Sequence, residues 1–340
     1  MLVLADCTVH SASADDLIVI RLSCKAILAP LSGAPPEDFQ ESDITDAVEG
    51  MNNLMETYGR GYRFVLVDPI TRVGERGGHL RPNPSHYFGI NMVAQPDERL
   101  NMESDALENP ELYAWNFSAI NIYINTANSG LMCGFQNSQV IVIGGGDSNR
   151  ASVHLHELGH YFGLCHTQGC SNGCCDGSGP GSDGLADTIV DLPCWDRDEI
   201  AQQNFGANYN QLSADRQHDV DNVSFNVMSY HSALQNCGMS NTSLAGRLTE
   251  HQLDRWSDTA SVARFDVCDG RTYFVLANAG GSQTGLSTNP FDRVAEGVDA
   301  ADPAGGDTVM IRGGAYPENL TINIPLTLRT PRGQTARIGD

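Results

Sequence analysis

The chain places histidines at 156, 160 and 166, with Glu157 after the first of them and Gly163 between the last two. On a helix, His156 and His160 leave the same face one turn apart. Two imidazoles so placed can take adjacent corners of a zinc tetrahedron with Zn–N bonds of about 2.0–2.1 Å. Glu157 then falls beside such a metal rather than on it, within reach of a water there. Gly163 suits a helix end in the left-handed conformation; the chain can then turn back and bring His166 to a third corner. Three neutral imidazoles leave the fourth corner open, as hydrolytic zinc sites require and structural ones do not. The competing account, in which these are surface or core histidines with satisfied ring nitrogens, must treat Gly163 and the third histidine as coincidence. His154, two residues before His156, lies on the wrong side of such a helix and is left out of the metal set.

The run His-Glu-x-x-His-x-x-Gly-x-x-His resembles the zinc signature of the metzincins, whose chains carry a methionine turn further on. Asn226-Val-Met228-Ser-Tyr230 fits that turn. The resemblance implies that Met228 forms an apolar floor under the metal without ligating it. It also implies that Tyr230 swings toward the metal and donates to an oxyanion; a core tyrosine in a tight turn is the plainer alternative. Within the clan the chain resembles the pappalysin family. The residues that carry this are Gly163-Leu-Cys-His166-Thr167 followed by Gly169-Cys170, and Ala186-Asp-Thr-Ile-Val-Asp191-Leu-Pro193, set against the family's Gly-Asp-x-Val-x-Asp-Thr-Pro. The methionine turn is also trailed by Cys237, Leu248-Thr249 and Gln252. The order of elements matches over roughly residues 15–268, the specific motifs over 152–256. Departures are Leu192 for Thr, Ala186 for Gly, and Cys165 inside the zinc motif.

The family likeness implies an α/β (α+β) catalytic domain with a twisted mixed sheet and an active-site helix. It implies calcium as a second cofactor beside zinc, on the Asp187 side chain and the carbonyls of Ala186, Ile189 and Leu192. Calcium takes six to eight hard oxygens, and a solvated acidic loop is the alternative for the same residues. It also implies a disulfide from Cys194 to Cys237.

The elements that must position these residues follow from the hydropathy pattern. Residues 17–22, 63–67, 120–124 and 140–143 are β-branched runs that read as strands, and 43–58 has helical spacing with an acidic start. Residues 72–112 read as a long decorated connection, and a helix begins near Ala151. Residues 167–193, rich in Gly, Ser, Asp and Cys, read as a long loop, and Thr249 as the N-cap of a helix. After Cys268 the texture changes, which divides the chain into residues 1–269, the catalytic domain, and residues 270–340. Strands are expected at 272–276, 307–312, 319–323, 325–329 and 336–339, with a short helix within 289–301. Gly-Asp-Thr-Val-x-Ile-x-x-Gly-x-Tyr-x-Glu-Asn-Leu from Gly306 resembles the start of a right-handed parallel β-helix of the pectate-lyase-like kind, although solenoids need several coils to bury a core.

Composition bounds the rest. Of 340 residues, 41% are hydrophobic and 18% charged, enough for real cores and too apolar for a disordered chain. There are 42 acidic residues against 20 basic, a formal charge of −22. That field disfavours nucleic acid and anionic membranes as partners. No apolar run approaches the roughly 18 residues of a membrane span, and the first residues do not read as a signal peptide. Ten cysteines, five of them between 165 and 194, read as disulfides of an oxidising compartment, with buried free thiols as the alternative. Asn116, Asn222, Asn241 and Asn319 open glycosylation sequons. Together these features predict a secreted zinc endopeptidase acting on proteins or peptides. The alternative is a carbohydrate-active or adhesive β-helix surface protein with an accessory zinc domain and surface or carbohydrate contacts through its C-terminal segment.

Overall fold

The computed structural model describes residues 17–92, 94–126, 139–168, 183–192, 195–229 and 246–339. The β-branched runs become strands β1 (Ile18–Ile27), β2 (Tyr62–Leu66), β3 (Thr71–Val73), β4 (Ile120–Asn125) and β5 (Val140–Gly144). They form one sheet of order β2-β1-β4-β5, with β3 also on β1. The register runs Leu22 to Ile120 and Ala26 to Ile124, then Ile122 to Ile141 and Asn125 to Gly144. Every residue of β4 and β5 is buried, the asparagines 121 and 125 of β4 included, as expected of a parallel sheet covered on both faces. The β1–β3, β1–β4 and β4–β5 ladders are parallel. Helical crossovers give the reason: α1 (Glu41–Tyr58) joins β1 to β2, and α2 (Pro96–Glu108) lies between β3 and β4, and crossovers of that length return a strand in parallel.

The connection over 72–112 is more ordered than its composition suggests. It holds a 3-10 turn (Pro84–Tyr87) and α2, which buries Met102 and Ala106 while Leu100 and Leu107 stay exposed. That exposure is what blurred its helical pattern. Two further helices were not anticipated, α4 (Arg197–Phe205) and α5 (Ala214–Ser224). Asp196 and Glu199 close a reciprocal capping box at the start of α4, and Gly206 ends it in the left-handed conformation, φ 67°. α3 (Ala151–Tyr161) and α6 (Glu250–Val262) stand where the sequence places helices.

By contact the chain divides into two compact units, one of residues 1–21, 52–65 and 257–340, the other of 22–51 and 66–256. In the first, β6 (Thr272–Val275), β7 (Thr308–Ile311) and β9 (Thr327–Arg329) form one parallel sheet, and β8 (Gly314–Tyr316) with β10 (Ala336–Ile338) another. α7 (Val294–Ala300) supplies Val294 and Val298 to a core with Val275, Val309, Ile311 and Tyr316. The strand expected at 319–323 is absent, and Gly314–Tyr316, which lies between the expected strands, is the strand instead. Tyr62 Oη lies 3.0 Å from Thr272 Oγ1 in the same unit. The candidate metal residues all belong to the second unit. Among the described residues no helix is long and apolar enough to cross a membrane.

Candidate metal centre

α3 carries the first two histidines as its spacing requires. Its end is fixed by Gly163, whose φ is 80°. The Leu164 N–H donates to the Gly159 carbonyl at 2.8 Å and the Gly163 N–H to the His160 carbonyl at 3.0 Å. That pair of bonds is the Schellman arrangement, which a left-handed residue makes possible. The chain reverses there and returns His166 to the helix face. Phe162, at the helix end, stacks on the fully buried Trp256 of α6 with ring centroids 4.3 Å apart.

The three imidazoles meet. His166 Nε2 stands 3.2 Å from His156 Nε2 and 3.0 Å from His160 Nε2, and all three rings are buried. Their ligand atoms lie within 4.8 Å of one another, the one such His/Cys/Asp/Glu group among the described residues. Nδ1 of His156 is 2.6 Å from the Val227 carbonyl, and Nδ1 of His160 is 2.8 Å from the Leu164 carbonyl. A carbonyl only accepts, so each Nδ1 carries the proton and donates it. Each Nε2 of that pair therefore presents a bare lone pair to the same point. Lone pairs at this separation repel unless a proton or a cation stands between them. A tetrahedral zinc site with bonds of about 2.0–2.1 Å has edges of about 3.3–3.4 Å, close to the spacing seen. Backbone carbonyls orienting ligand imidazoles through Nδ1 are the usual support of such sites. The residues present fit a zinc ion.

Burial keeps the rings in the neutral form a metal ligand needs. It lowers the pKa of His156, and it takes His160 to about 3, with His156 adding to the effect. His166 is pushed well below its ordinary value by burial and then by the other two rings. His154 stays apart, its Nε2 donating to the Ser148 carbonyl at 2.8 Å. Glu157 is buried, 3% exposed, on the turn that carries His156.

Met228 is fully buried against the backbone of Gly159, where a Cβ would run into its Sδ. Sequence reasoning passed over Gly159, whose missing side chain makes room for that sulfur. Asn226 shapes the turn: its Oδ1 accepts the Met228 N–H at 2.9 Å, and its amide donates to Gln252 Oε1 at 2.9 Å. Gln252 caps α6 reciprocally with Thr249 and donates to Asp183 Oδ2 at 3.1 Å. Asp183, 1% exposed, also accepts from the Leu185 N–H and the Thr188 hydroxyl, and burial raises its pKa.

Asp187 Oδ1 accepts from the Thr249 hydroxyl at 2.9 Å and Oδ2 from the His251 N–H at 2.8 Å, so the side chain caps α6. The Leu192 carbonyl accepts the Trp195 N–H at 3.2 Å. Calcium on Asp187 and the carbonyls of Ala186, Ile189 and Leu192 stays a proposal, in which a cation would share these oxygens with the donors named. Tyr230, Cys194 and Cys237 lie outside the described residues. Cys165 is disulfide-bonded, whereas Cys24 and Cys268 are buried free thiols; for those two the thiol alternative holds.

No protein-family model matches the sequence, and no curated protein matches it. Among solved structures the chain is similar to mirolysin in complex with a compound, at 15% identity over 74% of this chain and 96% of that one, with a TM-score of 0.44. It is similar also to a promirolysin mutant of Tannerella forsythia, at 14% identity over 74% of this chain and 84% of that one, with a TM-score of 0.43. At these values the likeness assigns no residue a role.

Proposed function

We propose that this chain is a secreted zinc-dependent endopeptidase. The observation that carries the reading is the convergence of three buried imidazole Nε2 atoms, two of them oriented by backbone carbonyls, next to a buried glutamate on the same helix. His156, His160 and His166 would hold the ion through Nε2. Zinc held by three neutral imidazoles lowers the pKa of a water toward neutrality and polarises a carbonyl. Glu157 takes the proton of the attacking water as that oxygen joins the scissile carbonyl carbon. It then hands the proton to the departing amine nitrogen as the C–N bond breaks. Tyr230 would donate to the developing oxyanion, and Met228 supports the ligand helix from below through Gly159. The Cys165 disulfide supports an oxidising compartment.

The parallel pairing of β6, β7 and β9, and of β8 with β10, supports a solenoid start in residues 270–340. No step is assigned to that segment.

Glu157→Gln tests the reading. The variant should fold, keep its metal, and lose casein or gelatin hydrolysis by a factor of at least about 100, the lower range for removing a general base. Retained turnover would refute the role of Glu157. Metal binding without hydrolysis in the parent chain would favour the accessory, non-catalytic alternative.

A further inference from the structure

His156 and His160 are fixed by a helix, but His166 is not. It sits beyond the α3 cap on irregular backbone, and something must hold it where its Nε2 meets the other two. The bonds around its neighbour, Thr167, contribute to that. The Thr167 N–H donates to the Met228 carbonyl at 3.2 Å, and the Thr167 hydroxyl donates to Asp191 Oδ2 at 2.8 Å. The same carboxylate oxygen accepts from the Ser229 hydroxyl at 3.4 Å. Asp191, Thr167 and Ser229 are all fully buried.

Thr167 follows the third histidine, and Ser229 follows the methionine of the floor. One carboxylate thus gathers the two backbone segments that frame the metal point. Hydrogen bonds to a carboxylate are stronger than neutral ones, and they strengthen further away from water. These bonds join Asp191 to the residue after the third histidine and to the residue after the methionine.

We propose that Asp191 is the positioning residue for the third metal ligand: its buried carboxylate, through Thr167 and Ser229, sets where His166 Nε2 stands. This rests on the metal-centre reading above and goes beyond it, because it gives a role to a loop residue that the zinc motif does not contain. Groups that orient metal ligands at one remove commonly alter affinity by 10–100-fold when removed.

The test uses the full chain in five forms: parent, Asp191→Asn, Thr167→Val, the double variant and Thr167→Ser. Zinc affinity is read by competition with a chromophoric chelator, and ligand geometry by the visible absorption of the cobalt-substituted protein. Each single variant should bind zinc about 10–100-fold more weakly and shift the cobalt bands, and the double should add little to either. Thr167→Ser, which restores the hydroxyl, should restore both readouts, and it carries the test if Asp191→Asn does not fold. A parent chain that binds zinc, with variants unchanged in affinity and spectrum or with additive losses, would overturn the proposal alone. A parent chain that takes up no metal would overturn the reading beneath it, and the proposal with it.

Discussion

Lys25 is the sole lysine in the chain, and it is buried in β1. Its ammonium donates to Asn121 Oδ1 and, at 3.1 Å, to the Ser23 carbonyl, and it lies 5.3 Å from the centre of the Tyr123 ring. Burial lowers its pKa to about 8, against the pull of Cys24 and Asp68 in the other direction. In the unfolded chain the amine titrates near 10.4. Below pH 8 both states carry the proton and the fold bears the full cost of a buried charge. Between about 8 and 10.4 the unfolded state binds more protons, so stability gains a rising contribution with pH. Denaturant titrations at several pH values should show that contribution, on the order of 3 kcal/mol, and Lys25→Met should remove it. Identical pH profiles for the two proteins would show that the amine is not desolvated.

At the scale of elements, the cap of α3 decides whether the third ligand can return. Gly163 sits at φ 80°, a conformation that costs other residues about 1–2 kcal/mol. Gly163→Ala should therefore destabilise the fold by about that much and weaken metal binding together. Calorimetry alongside a metal titration checks it; a change in stability with unaltered affinity would separate the cap from the site. This element was legible because helix spacing, a cap glycine and a ligand histidine all fall within eleven residues. The β-branched strands were legible for the same local reason. Asp191 was not, since its partners Thr167 and Ser229 lie 24 and 38 residues away in sequence, and a carboxylate in a Gly- and Asp-rich loop reads equally well as ligand, cap or clamp. Asp187 shows the same ambiguity, with its oxygens turned to the start of α6. α4 announced itself through Asp196, Glu199 and Gly206, signals weaker than apolar periodicity and easily passed over in an acidic chain.

For the whole molecule, the candidate site lies within one of the two compact units. The three imidazoles, Glu157, Met228 and the polar links through Asp183, Gln252, Asn226 and Asp191 belong to one unit; the short parallel ladders of β6–β10 belong to the other. The methionine turn is therefore held from one loop, residues 183–192, by two carboxylates that act through different partners. These links surround the point where three imidazole Nε2 atoms converge. The most direct measurement is the zinc-to-protein ratio by plasma mass spectrometry, on chain purified without added metal, for the parent and for His160→Ala. About one zinc per parent chain and essentially none in the variant are expected. A parent chain without zinc, or a ratio that survives loss of His160, would contradict the metal-centre reading.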